Sequence, residues 1–146
     1  MPMRAAAVVV ALLALAACGG SGTRLSRDAY VAKADAVCRD VNAKQKALTV
    51  PTTTGQIPAY VEKALPIFDD ALARIRRLRP PSELDAEVRT WLSSLGDSRK
   101  LISDLGKAAE HNDAAKVGSL GPKATALGDR GRSLARTIGL TDCSNT

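Results

Sequence analysis

The hydrophobic positions after residue 25 recur every three or four residues, the spacing that places side chains on one face of an α-helix. Four stretches have this period, and breaker residues separate them. Four amphipathic helices joined by mostly short loops predict an all-α fold, an up-down-up-down four-helix bundle. The four apolar stripes are Tyr30, Ala34, Val37, Val41 and Leu48; Val61, Leu65, Phe68, Leu72 and Ile75; Leu84, Val88, Trp91, Leu95, Ile102, Leu105 and Ala109; and Val117, Leu120, Ala124, Leu127, Gly131, Leu134 and Ile138.

Capping and breaking residues predict the bounds of the first two helices. Ser26 is a good N-cap for the first helix, and a proline and a glycine predict a loop over residues 49–56. The second helix is expected to begin at Pro58, because proline is accepted in a first turn. Pro66 lies inside the apolar pattern and predicts a kink or a split in this helix.

The last two helices have similar signals. Ser82 and Asp85 form a capping-box-like pair that predicts the start of the third helix. Asn112 is suited to a left-handed cap and Asp113 to the N-cap of the fourth helix, which Gly139 is expected to end. Glycines inside the fourth helix each cost about 1 kcal/mol relative to alanine. We expect close backbone packing to compensate, and Pro122 to bend the helix. These glycines are Gly118, Gly121, Gly128 and Gly131.

The N-terminus carries Arg4 and then an uninterrupted apolar run from Ala5 to Ala17. This run has the length of a signal-peptide hydrophobic region and is shorter than the roughly 20 residues of a membrane-spanning helix. The sequence Leu15-Ala16-Ala17-Cys18 resembles the lipobox of bacterial lipoproteins, whose cysteine receives a diacylglyceryl group before the chain is cut ahead of it. The resemblance implies a signal peptide over residues 1–17 and lipidation of Cys18.

Lipidation of Cys18 would define the layout of the mature chain. Residues 18–24 then form the lipidated cysteine with a glycine-rich, flexible tether, and residues 25–146 form the helical domain. Two or more acyl chains anchor a protein stably. We therefore expect the protein on the extracytoplasmic face of the cell membrane.

The formal net charge is +6, and removal of the leader takes away only Arg4 among the charged residues. A basic balance often indicates nucleic-acid binding, but export and the scarcity of aromatic residues argue against it. Anionic lipid or an envelope polymer is a better counter-charge. Solubility beside a membrane is the simpler interpretation.

Two cysteines remain for the folded domain, Cys38 and Cys143. An even pair in an oxidising compartment predicts a disulfide, which across so long a loop contributes at most about 4–5 kcal/mol in the chain-entropy model. In a simple bundle, however, Cys38 lies about 18 Å along the first helix from the end where the fourth helix finishes. Either residues 139–143 fold back along the first helix, or that helix is offset.

Three motifs give the chain a wider resemblance: ADAVCR at residues 34–39, LRPP at residues 78–81 and IGLTDC at residues 138–143. The chain is similar to small helical lipoproteins of high-GC Gram-positive bacteria. The resemblance covers most of the mature chain and implies the helical fold, the disulfide and the membrane location. It carries no catalytic or binding residue.

Residues typical of catalysis are scarce. His111 is the single histidine, which excludes paired-histidine zinc sites, and the sequence has no nucleophile elbow and no phosphate-binding glycine loop. The run EHND at residues 110–113 has metal-binding residue types. A polar interhelical turn is the better interpretation, because adjacent turn residues rarely converge on one ion. We expect no catalysis, no metal and no cofactor.

Two features bear on binding. The run RIRRLR at residues 74–79 either faces an anionic lipid or polymer or, as charge runs usually do, lies on a solvated face and complements the helix dipole. Trp91 is expected in the core. If the bundle is splayed, Trp91, Phe68 and Tyr60 are the candidates for lining a hydrophobic slot.

The sequence thus predicts a non-catalytic binding or scaffold module of the cell envelope, anchored to the membrane and acting with an unidentified protein partner. The alternative is a carrier of a small amphiphile, such as a lipid or a cell-wall precursor, held between helices. A scaffold requires a tight core and an exposed partner surface. A carrier instead requires a cavity lined by Phe68, Trp91 and their neighbours.

Overall fold

The computed structural model describes residues 23–145. The predicted leader and the predicted lipidation site, Cys18, lie outside the described residues. No strand occurs in residues 23–145, so the predicted all-α fold with four helices is confirmed. The helices are α1 (Arg27–Lys46), α2 (Ile57–Arg77), α3 (Asp85–Glu110) and α4 (Ala114–Ile138), with 3-10 turns at Thr54–Gln56, Ser82–Leu84 and Cys143–Asn145.

Most helix ends have the predicted caps. The Ser26 hydroxyl accepts the N–H of Ala29 at 3.3 Å, and the Asp113 carboxylate accepts the N–H of Lys116 at 2.9 Å. Asn112 has φ 54° and Gly139 has φ 98°, both in the left-handed region. These caps depend on residues close in the chain, so the sequence is sufficient to predict them.

The predicted capping box at the start of α3 is wrong. Leu84 occupies the N-cap, and no side chain caps the helix. The reason is that residues 82–84 form a 3-10 turn, in which the N–H of Leu84 donates to the carbonyl of Pro81 at 3.0 Å. A capping box is found instead before α2, between Thr53 and Gln56.

Pro66 does not split α2, which runs unbroken from Ile57 to Arg77. Pro66 itself is exposed. Solvent therefore reaches the backbone at the point where proline cannot donate a hydrogen bond, which makes the interruption tolerable.

Consecutive helices pack against one another, and the turn at residues 143–145 packs against both α4 and α1. α1 and α4 make fewer close backbone contacts with each other than any of these pairs do. The core draws on all four helices and on the chain after α4. Its most deeply buried large side chains are Tyr30, Trp91, Ile138 and Leu140. Burial raises the pKa of Tyr30 to about 12.

The α4 glycines do not provide the close packing that the sequence suggested, so that prediction is wrong. A Cβ atom at Gly118 or Gly121 would meet no other atom within 4 Å, and one at Gly131 would meet only the Leu95 side chain, at 3.8 Å. The close approach occurs at Gly106 of α3, where a Cβ atom would lie 2.9 Å from Cγ1 of Val61 on α2.

Candidate functional site

The C-terminal tail, residues 139–145, folds back along α1. The buried Asp35 carboxylate accepts hydrogen bonds from the backbone N–H groups of Thr141 (3.0 Å), Asp142 (3.0 Å) and Cys143 (3.2 Å). These bonds compensate the carboxylate for the loss of water. Of the two arrangements that the sequence left open, the tail adopts the folded-back one.

A disulfide fastens the tail to α1 next to Asp35. Cys38 and Cys143 are bonded, with their Cα atoms 5.0 Å apart, which confirms the predicted pairing. Arg39 forms an ion pair with Asp142, and Nδ2 of Asn42 donates to the carbonyl of Asp142 at 3.4 Å. The tail is therefore held along about two turns of α1.

The start of the described chain is fastened to the loop between α2 and α3. The N–H of Leu25 donates to the carbonyl of Arg79 at 2.9 Å, and the Arg24 guanidinium donates to the carbonyl of Pro80 at 3.0 Å. Arg24 also pairs with Asp85 at 2.7 Å, and this hydrogen bond holds the pKa of Asp85 below its usual value. Within residues 23–145, Arg24, the last residue of the predicted tether, already contacts the helical domain.

A cavity of about 310 Å³, named here the central cavity, is lined by residues of all four helices. Its wall is mostly apolar and includes Phe68, Trp91 and Leu127. The Cys38–Cys143 disulfide forms part of the wall, so the docked tail contributes to the lining of the cavity. The few polar residues of the wall are Gln45, Ser98 and Arg132.

A second cavity, of about 390 Å³, is named the loop cavity because Pro51 and the threonines at 52–54 form one side of it. Tyr60 and Leu105 are among its other lining residues. The two cavities adjoin, since both are lined by the same three side chains. The shared residues are Gln45, Phe68 and Ile102.

The three side chains proposed from the sequence are divided between the cavities. Phe68 lines both, whereas of these two cavities Trp91 lines the central one and Tyr60 the loop one. The sequence interpretation missed Gln45 and Arg132. Nothing in the local sequence distinguishes these two half-buried residues from exposed polar residues of a helix, because their position at a cavity depends on tertiary packing.

Arg132 is the charged residue in the wall of the central cavity, and its guanidinium donates to Asp129 on the preceding turn of α4. Gly128 lies next to this guanidinium. A Cβ atom at Gly128 would lie 3.4 Å from Nη1 of Arg132, so the glycine leaves room for the guanidinium beside the cavity. Gly131 also lines the cavity, which gives two of the α4 glycines a role other than helix packing.

Ion pairs connect the helices around the cavities. Asp40 of α1 bonds to Lys44 and to Arg74 of α2, and these two hydrogen bonds hold the pKa of Asp40 below its usual value. Asp69 of α2 receives two hydrogen bonds of 2.8 Å from Arg99 of α3, which lower its pKa in the same way. One arginine of the run at residues 74–79 thus joins two helices.

Other chemistry is sparse in the part of the chain that the structure describes. Across residues 23–145, no three side chains of histidine, cysteine, aspartate or glutamate are grouped so that they could hold a metal ion. His111 is exposed and follows directly after α3. The one large hydrophobic side chain exposed within these residues is Val50.

None of the helices described between residues 23 and 145 is both long enough and apolar enough to cross a membrane.

Comparison with known proteins finds no family model, no curated protein and no solved structure that matches this chain.

Proposed function

We propose that this protein is a lipid-anchored lipoprotein of the extracytoplasmic membrane face that binds a small amphiphile between its helices. The observation that carries the binding role is the central cavity, a mostly apolar space of about 310 Å³ with three polar residues in its wall. Ligand sites in proteins are typically concave and apolar, with a few polar groups that orient the ligand. The central cavity has these properties.

The scaffold alternative has less support from the surface. A large exposed apolar patch is one mark of a protein–protein interaction site. Within residues 23–145, Val50 is the one large hydrophobic side chain that is exposed. The amphiphile carrier, which was the second choice from the sequence, is therefore the better interpretation.

The proposed helix arrangement is the up-down-up-down bundle. Three contacts at the start of α1 support it: Leu25 bonds to Arg79 after α2, Arg24 pairs with Asp85 at the start of α3, and Arg27 donates to the carbonyl of Ile138 at the end of α4. These contacts bring alternating helix ends to one pole, next to the proposed tether. The loop cavity, which involves residues 51–54, then lies near the opposite pole.

Native mass spectrometry of the mature protein, extracted from its own membrane, tests the binding role. We expect a bound mass that disappears on denaturation. Gly131→Leu should abolish this mass, because the added side chain enters the central cavity beside Leu95. Gly118→Leu is the matched control, since it makes the same change on the open side of α4. A bare wild-type chain, or equal retention by both variants, would overturn the proposal.

The anchor is tested separately. Cys18→Ala removes the only thiol that the lipobox resemblance assigns to lipid attachment. We expect the variant to leave the detergent phase in a Triton X-114 partition, or to accumulate with its leader uncut. Unchanged partitioning would contradict lipidation and leave the ligand experiment valid, because the cavity lies within residues 23–145.

A further inference from the structure

We infer that the central cavity and the loop cavity form one channel for a single unbranched acyl chain, with an anionic head group at Arg132 and the tail beyond Phe68. This inference rests on the proposed function and specifies its ligand. It names the class of amphiphile, its orientation and the side chains that limit its length.

The shared wall is the first argument. Gln45, Phe68 and Ile102 border both cavities, so the two spaces meet at these three residues. Each space alone is near the lower limit of about 300 Å³ for ligand pockets. Side chains of this kind change rotamer within nanoseconds where they are not tightly packed, and neither Phe68 nor Ile102 is fully buried.

The dimensions are the second argument. Along α2, the lining residues run from Ile57 in the loop cavity to Ile75 in the central cavity. Eighteen helical residues span about 27 Å at the usual rise of 1.5 Å per residue. The volumes of about 390 and 310 Å³, spread over that length, leave room for one extended hydrocarbon chain and not for two side by side.

The distribution of charge sets the orientation. Arg132 is the charged side chain lining the central cavity, whereas the polar side chains of the loop cavity are uncharged threonine, glutamine and tyrosine. A carboxylate or phosphate can receive two parallel hydrogen bonds from a guanidinium. It would compete there with Asp129, a carboxylate with 66% of its side chain exposed, and exposed pairs are weak.

Trp91, the only tryptophan, lines the central cavity and so provides the readout. The mature full chain with Cys18→Ala is titrated with saturated fatty acids from octanoate to octadecanoate, below their micelle concentrations, and tryptophan fluorescence is recorded. We expect affinity to rise about fourfold per added methylene. The rise should continue to lengths that only the two cavities together can hold.

Ala64→Leu tests the channel, because Ala64 is buried and lines the loop cavity. We expect Ala64→Leu to lower the affinity for hexadecanoate at least tenfold and to leave the affinity for octanoate unchanged. Ala73→Leu, on the exposed side of α2, should change neither affinity. Retained octanoate binding demonstrates that the variant is folded. If Ala64→Leu left the chain-length profile unchanged, the channel would be refuted while amphiphile binding stood.

Arg132→Gln tests the head-group position, with Arg130→Gln as the exposed control on the same helix. Arg132→Gln should lower the affinity for hexadecanoate about tenfold and leave the affinity for hexadecanol unchanged. Arg130→Gln should change neither affinity. Equal losses for acid and alcohol, or none, would overturn the assigned orientation. If no acid or alcohol perturbed Trp91 in the wild type, the acyl-chain inference would be refuted, whereas the proposed function would fail only if native mass spectrometry also found a bare chain.

Discussion

At the scale of single residues, Asp35 is the side chain that holds the C-terminal tail on α1. It receives three backbone hydrogen bonds from the C-terminal tail while buried among core residues. Asp35→Asn keeps the shape but removes the charge and one acceptor. We expect it to lower the free energy of unfolding by about 1.5–3 kcal/mol, the usual range for hydrogen bonds to a charged group.

Urea denaturation monitored by circular dichroism measures this loss. Asp97→Asn is the matched control, because Asp97 is exposed on α3 and forms no hydrogen bond or ion pair within residues 23–145. The control should change stability by less than about 0.5 kcal/mol. Equal midpoints for Asp35→Asn and the wild type would contradict the role given to Asp35.

Gly106 of α3 lies directly against Val61 of α2. Gly106→Ala places a Cβ atom 2.9 Å from Cγ1 of Val61, so we expect a net loss of stability despite the gain of about 1 kcal/mol in helix propensity. Gly96→Ala, in the same helix and with no atom within 4 Å, should gain that propensity in full. In a Val61→Ala background Gly106→Ala should become stabilising. A loss of the same size in both backgrounds would exclude the contact with Val61 as its cause.

What the sequence predicts at this scale depends on distance along the chain. Ser26, Asn112 and Gly139 act on neighbours within a few residues, and all three have the predicted conformation or bond. Asp35 and Gly106 act on segments far away in sequence. No local pattern distinguishes Asp35 from an exposed helical aspartate, so its role required the fold.

At the scale of elements, the motifs behind the resemblance to small lipoproteins are mostly sites where chain termini dock. Arg79 and Pro80 of LRPP hold the segment before α1. ADAVCR and IGLTDC hold the tail on α1 through Asp35 and the disulfide. The sequence predicted the bond but left the path of the tail open, because helix periodicity says nothing about the direction of the chain after a helix ends.

The disulfide supports the docked tail as an element. In Cys38→Ser/Cys143→Ser we expect the free energy of unfolding to fall by about 2–5 kcal/mol, because the unfolded chain regains the freedom of a loop of 105 residues. Urea denaturation checks this, and the wild type in dithiothreitol should match the double variant. Should the variant and the reduced wild type both unfold at the oxidised wild-type midpoint, the bond would have no stabilising role.

At the scale of the whole molecule, four helices follow from periodicity, whereas the cavities do not. Phe68 and Trp91 could be selected as large side chains on apolar stripes, and Tyr60 as an aromatic residue next to one, but stripes predict a filled core as readily as one with cavities. The central cavity depends on how far α1 and α4 remain apart and on small residues in its wall, such as Gly128 and Gly131. Those are properties of the assembled bundle.

Ion pairs within and between the structural elements make the stability of the protein depend on acidic pH. Hydrogen bonds from Lys44, Arg99, Arg24 and Lys100 lower the pKa values of Asp40, Asp69, Asp85 and Asp104 respectively. Because these values lie below those of the unfolded chain, their contribution is complete above about pH 4 and is lost as the pH falls through the folded values. We expect the urea midpoint to be flat between pH 5 and 7 and to decrease below pH 4, less so at high salt. An acid branch insensitive to salt would argue against the ion pairs.

Tyr30 makes the stability of the protein depend on alkaline pH. Its phenol has a pKa of about 12 in the folded protein and ordinarily about 10, so the unfolded chain ionises first as the pH rises. Stability from this group is complete below pH 10 and is lost progressively between about pH 10 and 12. Tyr30→Phe should flatten that part of the profile, and it should preserve stability at pH 7, because the buried hydroxyl has no hydrogen-bond partner among the described residues. Unfolding curves of both proteins from pH 7 to 12 provide the measurement, and parallel alkaline profiles would mean that Tyr30 is not the titrating group.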